Sequence, residues 1–134
     1  MDYEARRELL GKVKEASAAE VLESEDDGTP KLWLTQRALD VRRRLADCFA
    51  GATYEPLSAA GERAANVVAY ARGGRVAVIV PRLVLGLGDG WGDTTVMLPE
   101  GRWTDELGGS TADEGPVSLA ALLSGFPVAL LVRN

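Results

Sequence analysis

From Asp2 to about residue 50 the apolar positions recur at helical spacing, and beyond Gly51 they alternate in short runs broken by glycine. Over Asp2 to Val13, Leu9, Leu10 and Val13 stand among charges, with Asp2 placed to cap and Glu4 to complement the dipole, which predicts a first helix. Ala18 to Leu22 predicts a short second helix, and Glu23-Ser24-Glu25-Asp26-Asp27-Gly28 an exposed acidic loop after it. A third helix follows, because Thr29 can cap it, Pro30 suits its first turn, and Leu34, Ala38, Val41 and Leu45 recur on one face. Its other face carries Lys31, Arg37, Arg42, Arg43 and Arg44, which reads as a solvated surface or as an anion or partner site.

The second part has the grammar of an antiparallel β domain. Candidate strands are Ala52 to Leu57, Asn66 to Arg72 and Arg75 to Pro81, the last two joined by Gly73-Gly74 as a two-residue hairpin turn. Val76, Val78 and Val80 alternate with Ala77 and Ile79, so both faces of that strand are apolar and it belongs at the centre of a sheet. Leu85 to Gly92 reads as a flexible glycine-rich loop, and Thr94 to Leu98 as a strand stopped by a turn at Pro99-Glu100-Gly101. Arg102 to Leu107 would then be a further strand, Gly108 to Gly115 a polar loop, and Val117 the start of another strand. Leu119 to Leu123 predicts one helical turn, and Phe126 to Val132 a closing strand. Six or seven strands at these spacings predict an α+β chain: a helical lead-in over 1–50, then a two-sheet, Greek-key β-sandwich over 51–134.

Charge and composition narrow the chemistry. Twenty acidic against 15 basic residues give a net charge of −5, the wrong sign for a phosphate-backbone binder, so nucleic acid is not an expected partner. No apolar run approaches the roughly 20 residues a membrane-spanning helix needs, and the charged start Met1-Asp2-Tyr3-Glu4-Ala5-Arg6-Arg7 is no targeting peptide, so a cytoplasmic protein is expected. The chain has no histidine, which removes Ser-His-Asp and Cys-His catalysis and the commonest metal ligand. Its one cysteine, Cys48, is expected to be an inert, partly buried thiol.

The remaining candidates are few. Gly86-Leu87-Gly88-Asp89-Gly90-Trp91-Gly92-Asp93 lacks the lysine and hydroxyl of a phosphate loop and the ligand series of a calcium loop; it reads as a long turn with Trp91 folded back on the sheet, and no metal or cofactor is expected. Asp89, Asp93, Asp105 and Glu106 are carboxylates of the type that cleave glycosidic bonds, yet nothing in their spacing fixes a pair, so surface or turn-capping roles are expected and no catalytic residue is assigned. Among the tryptophans, Trp33 is expected to pack within its helix, while Trp91 and Trp103 are open to packing or to stacking on a sugar ring.

Several runs, taken in order, carry a resemblance. They are Lys31 to Leu39 (KLWLTQRAL) with Arg42-Arg43-Arg44, Gly51 to Leu57, Pro81-Arg82-Leu83, Gly90-Trp91-Gly92-Asp93-Thr94-Thr95, Leu98 to Asp105 (LPEGRWTD) and Phe126 to Leu131, with Asp2 to Arg7 fitting at the start. Together they resemble the C-terminal end of the maltooligosyltrehalose synthase family of the α-amylase superfamily. The resemblance implies a parent enzyme that turns the reducing-end α-1,4 linkage of a maltooligosaccharide into an α,α-1,1 linkage by intramolecular transglucosylation, on an N-terminal (β/α)8 barrel. No barrel fits in 134 residues and no barrel motif is found, so the implied role is a catalytically silent domain beside the parent barrel, and Met1 then suggests an expressed fragment or a shortened gene product. A second role, binding maltooligosaccharide through Trp91 and Trp103 with Arg82 or Arg102 on the sugar hydroxyls, stays open, as does a partner subunit for a separately encoded barrel. Self-association through exposed apolar surface is also expected.

Overall fold

A computed structural model describes residues 3–24, 28–88 and 90–134. The chain divides into two compact units, Met1–Arg44 and Leu45–Asn134. The helical unit holds α1 (Tyr3–Val13), α2 (Ala18–Leu22) and α3 (Thr29–Arg44). The expected cap Asp2 and residues 25–27 of the acidic loop lie outside the described residues. Ser17 caps α2 in a reciprocal box: its hydroxyl accepts from the Glu20 N–H, and its own N–H donates to the Glu20 carboxylate at 2.8 Å. Trp33 takes the centre of the α3 face, fully buried, with its Nε1 donating to the Ala16 carbonyl at 3.1 Å. Val41 is buried as the spacing predicts, whereas Leu34 and Ala38 are only half-buried. The larger ring with an internal hydrogen-bond partner takes the central place.

The β unit opens with a short 3-10 turn over Ala46–Cys48 and then forms β1 (Tyr54–Pro56), β2 (Ala59–Ala60), β3 (Val67–Arg72), β4 (Val76–Pro81), β5 (Thr95–Asp105), β6 (Thr111–Ser118), the helical turn α4 (Leu119–Leu122) and β7 (Ala129–Arg133). All seven strands join one antiparallel sheet, in the order β1-β3-β4-β7-β5-β2, with β6 also on β5. The α+β class therefore stands, but the expected two-sheet Greek-key sandwich is replaced by a single sheet curled into a half-barrel.

The curl originates in β5. Pro99-Glu100-Gly101, read from sequence as a turn, is a bulge within one continuous strand: Leu98 pairs with Gly115 and Arg102 with Asp113, so three residues of β5 face one of β6. Gly101 takes φ +121°, and its N–H donates to the Glu114 carboxylate at 2.9 Å. The bend lets the first half of β5 pair with β2, at Val96 and Thr95, and the second half with β7, at Trp103 to Asp105. The predicted polar loop over 108–115 is thereby corrected, since Thr111 onward is strand.

The β3–β4 hairpin forms as expected with β4 central, between β3 and β7. Gly73 and Gly74 both adopt positive φ, and Arg75 is an extra residue before the ladder resumes at Arg72 and Val76. The concave face is lined by small residues, Ala69, Ala71, Ala77 and Ala129, which leave room for Trp103 and for Leu119, Leu122 and Leu123 of the α4 segment. Among the described residues no helix is long and apolar enough to cross a membrane.

Candidate functional site

The residues proposed from sequence to meet a sugar are scattered by the fold. Trp103 is fully buried in the concave core and donates its Nε1 to the Pro99 carbonyl at 3.0 Å across the bulge. Its ring has no face left for a ligand, which corrects its reading as a platform. Arg102, next along β5, points outward and pairs loosely with Asp113 at 4.0 Å, an exposed contact of little energetic weight. Arg82 is exposed just after β4. Trp91 is half-buried and rests against the core from the connection between β4 and β5.

Two of the candidate carboxylates, Asp93 and Asp105, accept from backbone N–H groups. Asp105 is buried, and its Oδ1 accepts from the N–H groups of Leu107 and Leu130, both at 3.1 Å, while Oδ2 accepts from Gly108 at 2.9 Å. It thus ties the β5–β6 turn to the incoming β7. Burial raises its pKa, partly offset by these three donors and reinforced slightly by neighbouring Glu106. Asp93 accepts from the Glu62 N–H at 3.0 Å, and buried Thr94 accepts on its hydroxyl from the Arg63 N–H at 2.9 Å. Gly61 completes this junction, for a Cβ there would lie 2.7 Å from the Thr94 Cα. Asp89 lies outside the described residues. Asp105, with three N–H donors on its two oxygens, is thereby engaged in holding the β5–β6 turn and β7 together. Among the described residues no three histidine, cysteine, aspartate or glutamate side chains gather to hold a metal.

The cysteine and the arginines are likewise placed. Cys48 is buried against the hairpin turn at Gly73, and Arg72 reaches the carbonyls of Cys48 and Phe49 at 3.3 and 3.1 Å, which fastens the 3-10 turn to β3. On α3, Arg37 stacks over Trp33 at 5.3 Å and Arg44 pairs with Asp40 at 3.2 Å. A groove of about 410 Å³ between α1 and α3 is lined by Leu10, Leu32, Gln36, Leu39 and Arg43 among others, and none of Arg82, Trp91, Arg102 or Trp103 borders it.

No family model matches the chain. A Mycobacterium tuberculosis protein named as a maltooligosyl trehalose synthase is 42% identical over 106 residues, 78% of this chain and 14% of the relative, and it occurs in two strains. The solved maltooligosyltrehalose synthase from Arthrobacter ramosus superposes with a TM-score of 0.71 at 36% identity, over 87% of this chain and 16% of that one. The chain is homologous to a segment of maltooligosyltrehalose synthase. A second solved maltooligosyl trehalose synthase covers the whole chain with a TM-score of 0.68 at 26% identity, again over 16% of its own length. The chain thus spans about a seventh of the synthases it matches. Over the residues covered, the fold of this chain is shared with both solved synthases.

Proposed function

We propose that this chain is the non-catalytic C-terminal domain of a maltooligosyltrehalose synthase-like enzyme, and that it stabilises the catalytic barrel of that enzyme. The parent activity in this reading is the intramolecular transglucosylation that ends a maltooligosaccharide in trehalose, carried out by carboxylates on the barrel. The observation that carries the reading is homology in sequence and fold to about a seventh of such a synthase, in a chain whose buried carboxylate, Asp105, is spent on three backbone N–H groups. The test is to incubate the isolated chain with maltopentaose, and in parallel to put the chain in place of the matching segment of the Mycobacterium tuberculosis relative. The isolated chain should yield no trehalose-ended product, and the chimera should convert maltopentaose with an unfolding temperature near that of the unmodified enzyme. Turnover by the isolated chain, or a chimera that neither folds nor reacts, overturns the proposal.

One observation favours a second reading, a maltooligosaccharide-binding module: Trp91 is only half-buried, in the same connection that carries exposed Arg82. Here Trp91 offers an apolar face to a glucose ring and Arg82 donates to its hydroxyls. Tryptophan fluorescence should then respond to maltooligosaccharide, and Trp91→Phe should abolish the response. A flat titration up to about 1 mM ligand, where binding would be worth about 4 kcal/mol, sinks this reading.

A further inference from the structure

We propose that Leu83, Val84 and Leu85 form a docking knob, which seats in an apolar hollow on the part of a maltooligosyltrehalose synthase polypeptide that lies outside this segment. The proposal rests on the reading of the chain as a domain of such an enzyme. Its first support is strain. Leu83 has φ +51° and ψ +45°, the left-handed region, and among the described residues it is the sole non-glycine with positive φ. Glycine or asparagine adopts this conformation readily, whereas a leucine there crowds its Cβ against the backbone.

The strained conformation is held from several sides. The Asn66 side-chain amide donates to the Leu83 carbonyl at 3.2 Å, the Gly86 N–H donates to the same oxygen at 2.9 Å, and the Arg82 N–H donates to the Asn66 carbonyl at 2.7 Å. Arg63 adds a bond to the Gly86 carbonyl at 3.1 Å. The short 3-10 turn Val84–Gly86 is thus a fixed platform rather than a loose loop.

What the platform presents is apolar. Leu83 is 65% exposed, Val84 59% and Leu85 102%, three consecutive aliphatic side chains turned to solvent. Other exposed apolar residues of the β unit, such as Val68 and Met97, are single positions on strands. Exposed as they are, the three side chains bury little apolar area within this chain, and asparagine would relieve Leu83. The same fold recurs in solved synthases as 16% of one continuous chain, so the larger remainder is a neighbour in every such molecule, and contiguous exposed aliphatic side chains are suited to burial against it. Exposed Arg82 beside the knob suits a hollow with a polar or acidic rim.

The experiment compares Leu85→Asp and Leu83→Asn in the isolated chain and in the chimera described above. In the isolated chain Leu85→Asp should leave the unfolding temperature unchanged, and Leu83→Asn should hold or raise it, since asparagine tolerates the left-handed region. In the chimera both should lower it by about 3 °C or more, the shift expected for losing on the order of 1 kcal/mol of contact in a large domain. A photo-crosslinking residue at position 85 of the chimera should join to a peptide from outside the 134 residues. Equal behaviour of the variants in both settings, crosslinks only within the segment, or a crosslink to a second copy of the chain overturns the knob. A parent chimera that does not fold or react instead removes the underlying reading, and the knob with it.

Discussion

At the scale of single residues, Asp105 does the most for the β unit, because one buried carboxylate satisfies three N–H groups that come from two separate parts of the chain. Asp105→Ala leaves all three without their acceptor, two of them at buried positions, and should cost about 3 kcal/mol in denaturant unfolding. Asp105→Asn should cost less, since its amide nitrogen faces the Gly108 N–H as donor against donor while Oδ1 keeps its two partners. The pH dependence follows from the direction of the pKa. Burial lifts it above the ordinary 3.8, so between that value and the raised one the folded state holds more protons than the unfolded state. The contribution of this group is therefore least unfavourable at low pH and falls as pH rises through that window. Measured against Asp105→Asn, the wild type should gain stability as the solution is acidified through it; a relative loss would mean that the N–H donors outweigh burial.

Among elements, the hairpin and the bulge show how the same glycine signal can mean different things. Gly73 and Gly74 both need positive φ, at +53° and +63°, but only Gly73 is crowded, with Cys48 backbone 3.1 Å from where a Cβ would sit. Gly74→Ala should cost about 1 kcal/mol for the left-handed backbone alone, and Gly73→Ala measurably more by calorimetry. Equal effects would mean that the Cys48 contact relaxes freely. Gly101→Ala should destabilise by about 1–3 kcal/mol, because φ +121° suits glycine and a Cβ would meet the Arg133 side chain at 2.6 Å. The Pro-Glu-Gly run was legible as punctuation, but a turn and a bulge use the same residues, and only a partner strand on the far side distinguishes them. Only the end of β6, at Val117, was legible, for a related reason: Thr-Ala-Asp-Glu-Gly-Pro-Val-Ser has neither a full apolar face nor a β-branched run, and it becomes strand because β5 offers it a ladder.

For the molecule as a whole, the helices, the hairpin and the central place of β4 were readable from period and turn chemistry, since each depends on residues close in sequence. The strand count gave the class but not the closure. A sandwich and a half-barrel have the same alternation; the choice between them was made by the bulge in β5, which lets one strand serve two neighbours, and by alanines at 69, 71, 77 and 129 that make room for Trp103 and α4 on the concave side. The candidate site fared likewise. Composition withheld histidine catalysis, and the run of motifs from Lys31 to Leu131 carried the kinship with maltooligosyltrehalose synthase, because both are properties of residue identity. Whether Trp91 or Trp103 meets solvent, whether a carboxylate is spent on backbone, and how far Leu85 stands out depend on contacts between residues distant in the chain. Burial and hydrogen-bond saturation arise only when such residues meet, and for this protein the tertiary structure alone decided them.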